Sequence, residues 1–134
     1  MFTNSLSAAA LEKAMSAAWK KTQLITHNIA NEDTPGYKAK RMEFEGMLKS
    51  ELQKRTLKGS RSNAVSKQRQ IESINNIQPF VYDDRSTQVR IDGNNVNIES
   101  EQIELARVQL HYQAMRDRIN SSYSTLRYAI TGGR

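Results

Sequence analysis

A chain of 134 residues has room for one core of ordinary size and not for two. It contains no cysteine, which excludes a disulfide framework and any Cys-ligated zinc site, and no apolar run approaches the roughly 18 residues that a membrane-spanning helix needs. Its net charge of +6 is concentrated in the middle: ten Lys or Arg stand against three Glu between Lys38 and Arg69, and the rest of the chain is close to neutral.

The chain opens without a basic stretch, and its first apolar run is broken by Ser5 and Ser7 before Glu12 and Lys13 arrive. No cleavable secretory signal is therefore expected, and any export follows another route. Ala8, Leu11, Met15, Ala18, Thr22, Ile25 and Ile29 recur at alternating steps of three and four, which predicts a heptad seam on one face of a helix within residues 1–31. Trp19 and Leu24 lie off that seam.

The helix must stop before Pro35, because proline drives Thr34 out of helical geometry. Thr34, Pro35, Gly36 and Tyr37 suit a type II turn, with proline presetting the first central residue and glycine accepting the positive φ of the second. Asn28 and Asn31 are three apart on one helical face, where their amides can bond exposed carbonyls or a neighbouring chain. Tyr37 adds an apolar body with a polar tip. A helix stop followed by a turn accounts for these residue types without any further role. Phe44, Met47, Leu48 and Leu52 then predict a short helix from about Glu43 to Lys54, so that 32–54 reads as a turn, an arm and that helix.

Residues 55–96 form a variable middle. The stretch "KRTLKGSRSNAVSKQRQIESINN" is basic and poor in large apolar groups, and is expected to be a mobile insert or a loosely packed lobe. "PFVYDD" and "TQVRIDGNNVNI" carry the β signals: apolar and polar residues alternate through Val89 and Ile91, and Asp92-Gly93 suits a hairpin turn.

The last segment, 97–134, carries the longer seam. Ile98, Leu105, Tyr112, Ile119 and Leu126 fall seven apart, with Val108, Met115, Ser122 and Ala129 three further on in each turn. Asn97 is the expected N-cap, Glu99, Glu101 and Glu104 favour the positive end of the helix dipole, and Gly132-Gly133 marks the stop. The expected fold is therefore mainly α, with long N- and C-terminal helices pairing as a coiled coil around a small irregular or β middle.

Catalytic machinery is not expected. His27 and His111 are the only histidines, so a metal site would need carboxylates gathered from elsewhere, and Asp92-Gly93-Asn94 lacks the rest of a calcium loop. Neither a phosphate loop nor a nucleophile elbow is present, and no cofactor is implied. The basic middle raises nucleic-acid binding as an alternative, but only Phe44 stands among those charges as an aromatic and no recognition motif accompanies them.

Leu, Ile, Val and Phe make up only 27 of the 134 residues. The N-terminal seam offers about four large side chains, each contributing roughly 1.5–3 kcal/mol when fully buried, while backbone ordering costs about 1–2 kcal/mol per residue. Ile103 and Leu110 add apolar groups off the second seam. Self-assembly, which covers such faces, is thus the stronger expectation than an isolated hairpin.

At "NIANEDTPGYKAKRMEFEGML", preceded by "LEKAMSAAWKKTQLITH", the sequence resembles the flagellar basal-body rod proteins. The shared mark is Ala30, Asn31, a spacer, then Thr34, Pro35, Gly36 and the aromatic Tyr37; "DGNNVNI" and "HYQAM" extend the likeness, which covers roughly residues 5–54 and 92–131 and is strongest to the proximal rod members. Asn97 stands where the family usually has Asp, and Gln102 where it usually has Met. The resemblance implies a non-enzymatic subunit exported by the flagellar type III apparatus without signal cleavage. It further implies helical polymerisation with copies of itself and other rod and basal-body proteins into the shaft that carries torque from motor to hook and filament. Such a subunit lies in the basal body outside the cytoplasmic membrane, in the periplasm where an outer membrane exists, and is not inserted in the membrane. The turn at Thr34–Tyr37 would join the first helix to an arm that touches neighbouring subunits.

Overall fold

The computed structural model describes residues 5–57, 64–85 and 90–132. Helix α1 (Leu6–Ala30) is rich in alanine and free of Gly and Pro, which favours a continuous helix of 25 residues. Strand β1 (Lys40–Glu43) follows, then α2 (Glu45–Leu57), α3 (Ala64–Asn75), β2 (Phe80–Asp83) and α4 (Ile98–Thr131). The molecule is mainly helical with a small β middle.

The two long helices pack antiparallel. Asn28 near the end of α1 meets Glu101 near the start of α4, and Lys21 Nζ lies 2.7 Å from Glu104 Oε1 one turn further along. On α4, Ile98, Glu101, Leu105, Val108, Tyr112, Met115, Ile119 and Ser122 are buried or half-buried, and Glu104 is the one other half-buried residue from Ile98 to Ser122. On α1, Ala8 and Ile25 are buried, and Leu11, Met15, Ala18, Thr22 and Ile29 are half-buried. Asn97 caps α4 through Oδ1, which accepts from Ser100 N at 3.0 Å, and Gly132 ends the helix at φ 64°.

Helix α1 also uses a second face, which the single expected seam did not anticipate. Ala17 joins Phe44, Ile74 and Ile77 in a buried cluster, against which Ala10, Ala14, Met42 and Leu48 pack. The expected loose lobe is thereby corrected over 64–77. Ile71, Ile74 and Ile77 repeat every third residue in an otherwise polar stretch, a stripe narrow enough to look like none by composition yet sufficient to seat α3 on α1. Lys13 Nζ donates to the Asn75 carbonyl at 2.6 Å, closing the end of α3. Residues 58–63 of that expected lobe lie outside the described residues.

The sheet consists of β1 and β2 paired antiparallel, Lys40 opposite Asp83 and Glu43 opposite Phe80. The "PFVYDD" signal thus is a strand, and because β1 takes Met42 and Glu43, α2 starts at Glu45 rather than Glu43. The second β signal is corrected: Val89 lies outside the described residues, and Asp92-Gly93 turns without a hairpin, closed by Gly93 N donating to Arg90 O at 2.8 Å. Of the groups expected off the seams, Trp19, Ile103 and Leu110 are exposed, whereas Leu24 is half-buried.

Candidate functional site

The end of α1, the turn after it and the first turn of α4 converge on one buried polar centre. Helical geometry places Asn28 inward in the last turn of α1, where it is fully buried. Its Oδ1 accepts from Lys40 N at 2.8 Å and from the Tyr37 hydroxyl at 3.1 Å; its Nδ2 donates to Lys40 O at 2.9 Å and to Glu101 Oε2 at 3.1 Å. Two donors and two acceptors exhaust what a carboxamide offers. The paired bonds to Lys40 occupy the β1 edge as a neighbouring strand would, so that edge is closed to other chains.

Glu101 is the second fully buried member. It stands three residues after Ile98, on the same series as Val108, Met115 and Ser122, so the heptad carries it into the α1–α4 contact. Its Oε1 accepts from Arg41 Nη1 at 2.5 Å, and Arg41 Nε reaches Asp84 Oδ2 at 3.2 Å. Burial lowers the tendency of the Arg41 guanidinium to hold its proton, but Glu101 and Asp84 outweigh it and keep the group above its ordinary value. At Tyr37, burial first and then the charges of Asp83 and Glu101 push the hydroxyl up, so it stays protonated and donates to Asn28. The same hydroxyl lies 2.8 Å from His27 Nδ1.

The turn is type II in its essentials: Tyr37 N donates to Thr34 O at 3.2 Å and Gly36 has φ 72°. It is fastened from below by the loop before α4, with Gly36 N donating to Asp92 O at 2.9 Å and Lys38 Nζ to Gly93 O at 2.6 Å. Asn94, fully buried, turns its Nδ2 to the carbonyls of Asn31, Glu32 and Thr34 at 2.9, 2.7 and 2.9 Å. Those are carbonyls that the end of α1 leaves without helical partners. Asn95 Oδ1 accepts from Ala39 N at 2.7 Å, and its Nδ2 donates to Asp84 O at 2.6 Å, tying the start of β1 to the end of β2.

Of the motif residues singled out in the sequence, Asn28, Asn31 and Tyr37 therefore meet. Asn31 Nδ2 donates to His27 O at 2.7 Å, and the Thr34 hydroxyl donates to Asn31 Oδ1 at 3.3 Å. Ala30 and Pro35 are exposed. Along the seams, Ile25 and Val108 are buried, while Leu11, Met15, Ile29, Ile98, Leu105, Tyr112, Met115 and Ile119 are half-buried; Leu126 stands 40% exposed. Sequence reasoning missed Arg41, Asn94, Asn95 and Glu101. The signal for Glu101 was a carboxylate at a heptad position; for the asparagines it was two adjacent carboxamides directly after a turn.

Beside this centre, α1, α2 and α4 border an apolar groove of about 910 Å³, lined among others by Ala14, Phe44, Leu48, Leu52, Val108 and Met115. Among the described residues, no group of three or more His, Asp or Glu side chains is gathered as a metal site. Every buried polar side-chain atom in the described residues has a partner within the chain. The centre is built to hold three segments together and presents no reactive group.

Residues 9–38, the helix and the turn, match the family described as Flagella basal body rod protein. Over nearly the whole length, the chain is similar to three proteins each named Flagellar basal body rod protein FlgB. That of Bacillus subtilis (strain 168) is 36% identical over 126 residues, 92% of each chain. That of Buchnera aphidicola subsp. Acyrthosiphon pisum (strain APS) is 26% identical over 125 residues, 90% of this chain and 91% of the relative. That of Aeromonas hydrophila is 28% identical over 121 residues, 89% of this chain and 88% of the relative. With its helix, turn and closing helix all inside these matches, the chain belongs to the flagellar basal-body rod protein family.

Proposed function

We infer that this chain is a structural, non-catalytic subunit of the flagellar basal-body rod. The observation that carries the reading is the likeness to rod proteins over 92% of both chains, joined to a polar centre whose bonding is directed wholly inward. A subunit under torque needs its two long helices and its arm fixed relative to one another. Asn28, Glu101 and Arg41 fix the helices to the sheet, and Asn94 fixes the turn to the loop before α4.

The finer reading follows the same logic. The seams of α1 and α4 act as a coiled-coil layer of a helical assembly of this chain with other rod subunits, and the Thr34–Tyr37 turn sets the direction of the arm. Rod subunits lie beyond the cytoplasmic membrane, and no described helix is long and apolar enough to cross one. Export in an unfolded state by the flagellar type III apparatus suits helices whose burial is completed only on assembly. Nucleic-acid binding is not supported: Lys21, Arg41, Lys54 and Arg90 each stand within ion-pair distance of Asp or Glu side chains.

Mass spectrometry of purified basal bodies from the native host tests the reading. Peptides of this chain in the rod fraction, including an uncleaved N-terminal peptide, are the expected result. Their absence from preparations that contain the other rod proteins overturns it.

A further inference from the structure

The chain carries both halves of a contact that it does not make with itself. One half is the apolar groove of about 910 Å³ between α1, α2 and α4, floored by Ala14, Ala17, Val108 and Met115 and walled by Phe44 and Leu52. Val108 and Met115 belong to the α1–α4 seam, so the groove is a lateral continuation of an interface that already takes a helix.

The other half is the far end of α4. Cover along its seam ends at Ser122, and every residue from Ser124 to Gly132 is exposed. Leu126 is the next member of the Ile98, Leu105, Tyr112, Ile119 series and is 40% exposed; Ile130, one turn on, is 81% exposed. The uncovered end thus repeats the spacing and chemistry of the part that packs on α1. Residues 123–130 span about 10 Å of helix, as do residues 14–21 along the groove floor, at about 1.5 Å per residue. Charge agrees: Arg127 adjoins the apolar stripe, and Glu45 on the groove rim has a side chain 83% exposed with only a 3.6 Å approach from Lys21.

The geometry points to a second copy of this chain as the occupant of the groove, inserting Leu126 and Ile130 of its α4 between α1 and α2. The proposal rests on the rod-subunit reading and specifies which faces of successive subunits meet. Groove and helix end are different surfaces at separated places on α4, so the contact is head-to-tail and repeats along an open assembly instead of closing as a symmetric dimer. Apolar anchors one turn apart, laid into a groove, follow the general pattern of helix-in-groove recognition.

The absence of native cysteine allows a direct test. Leu52→Cys and Ile130→Cys, both at exposed positions, are placed singly and together in the chromosomal copy, and swimming cells are treated with a short bismaleimide before basal bodies are purified. The expected result is a ladder of dimer, trimer and higher species from the double variant, and monomer from each single variant. Monomer alone from the double variant, or a dimer from either single variant, overturns the head-to-tail contact. Recovery of this chain in the basal bodies is read on the same gel, so failure of the contact is distinguishable from failure of the rod reading.

Discussion

Asn28 Nδ2 donates to Glu101 Oε2 at 3.1 Å across 73 residues of sequence, joining the last turn of α1 to the first turn of α4. The bond is one of four on a fully buried carboxamide. Replacing Asn28 by Leu strands the Lys40 backbone groups and the Glu101 carboxylate, each at about 1–3 kcal/mol when buried without a partner. The expected loss is about 3 kcal/mol, read as a fall in the thermal midpoint by circular dichroism. A change within the error of the melt sinks the idea that this residue joins the helices.

Asn94 serves three carbonyls at the end of α1 with one amide nitrogen. Asn94→Asp keeps size and shape but replaces that donor with an oxygen, so repulsion joins the lost bonds. We expect Asn94→Asp to destabilise the chain by about 2–3 kcal/mol and to cost more than Asn94→Ala. Urea unfolding of the two variants, compared at equal slope, checks the order.

Gly36 has φ 72°, and a Cβ added there meets nothing within 4 Å. The cost of Gly36→Val is then backbone strain alone, about 2 kcal/mol. Because Gly36 N also holds Asp92 O, the turn shifts relative to α4. The expected outcome is a modest loss of stability with a much larger loss of motility in a soft-agar assay. Equal and small effects on both place the turn outside assembly.

The bond from Lys21 holds the Glu104 carboxyl below its ordinary value of 4.5, with burial acting the other way. A carboxyl lowered in the folded state adds stability that is present above its unfolded value and is lost as pH falls through its folded value. Lys21→Met removes this contribution. Its melting temperature is expected to lie below that of the natural chain at pH 7, and the gap to narrow as pH falls below about 4. A gap that stays constant with pH assigns the loss to packing.

Val108 is buried in the seam, whereas Leu126 continues the same heptad into solvent. Val108→Asp buries an unpaired charge and is expected to cost more than about 3 kcal/mol and to disrupt the helix pair. Leu126→Asp is expected to leave the melt of the isolated chain within about 0.5 kcal/mol, as exposed substitutions do, while abolishing motility. Parallel melts and swimming assays separate the two roles.

Local signals in the sequence determined the long helices, their caps and the turn. Heptad spacing from Ile98 to Ile119, Asn97 before an acidic first turn, and Pro35-Gly36 act within a few residues of themselves, so each is legible without knowing what lies opposite. The tertiary structure alone decided that α1 packs on two faces, that three isoleucines in a basic stretch make α3, and that Asn94 and Asn95 bond to the backbones of other segments instead of forming a hairpin. It also decided that Glu101, which by sequence belongs with the dipole-favouring acids of the first turn, is buried against Asn28 and Arg41. The physical reason is common to all four: helix propensity and capping are contacts between near neighbours, whereas a buried polar group takes its meaning from a partner that may be seventy residues away, and only the fold brings the two within hydrogen-bonding distance.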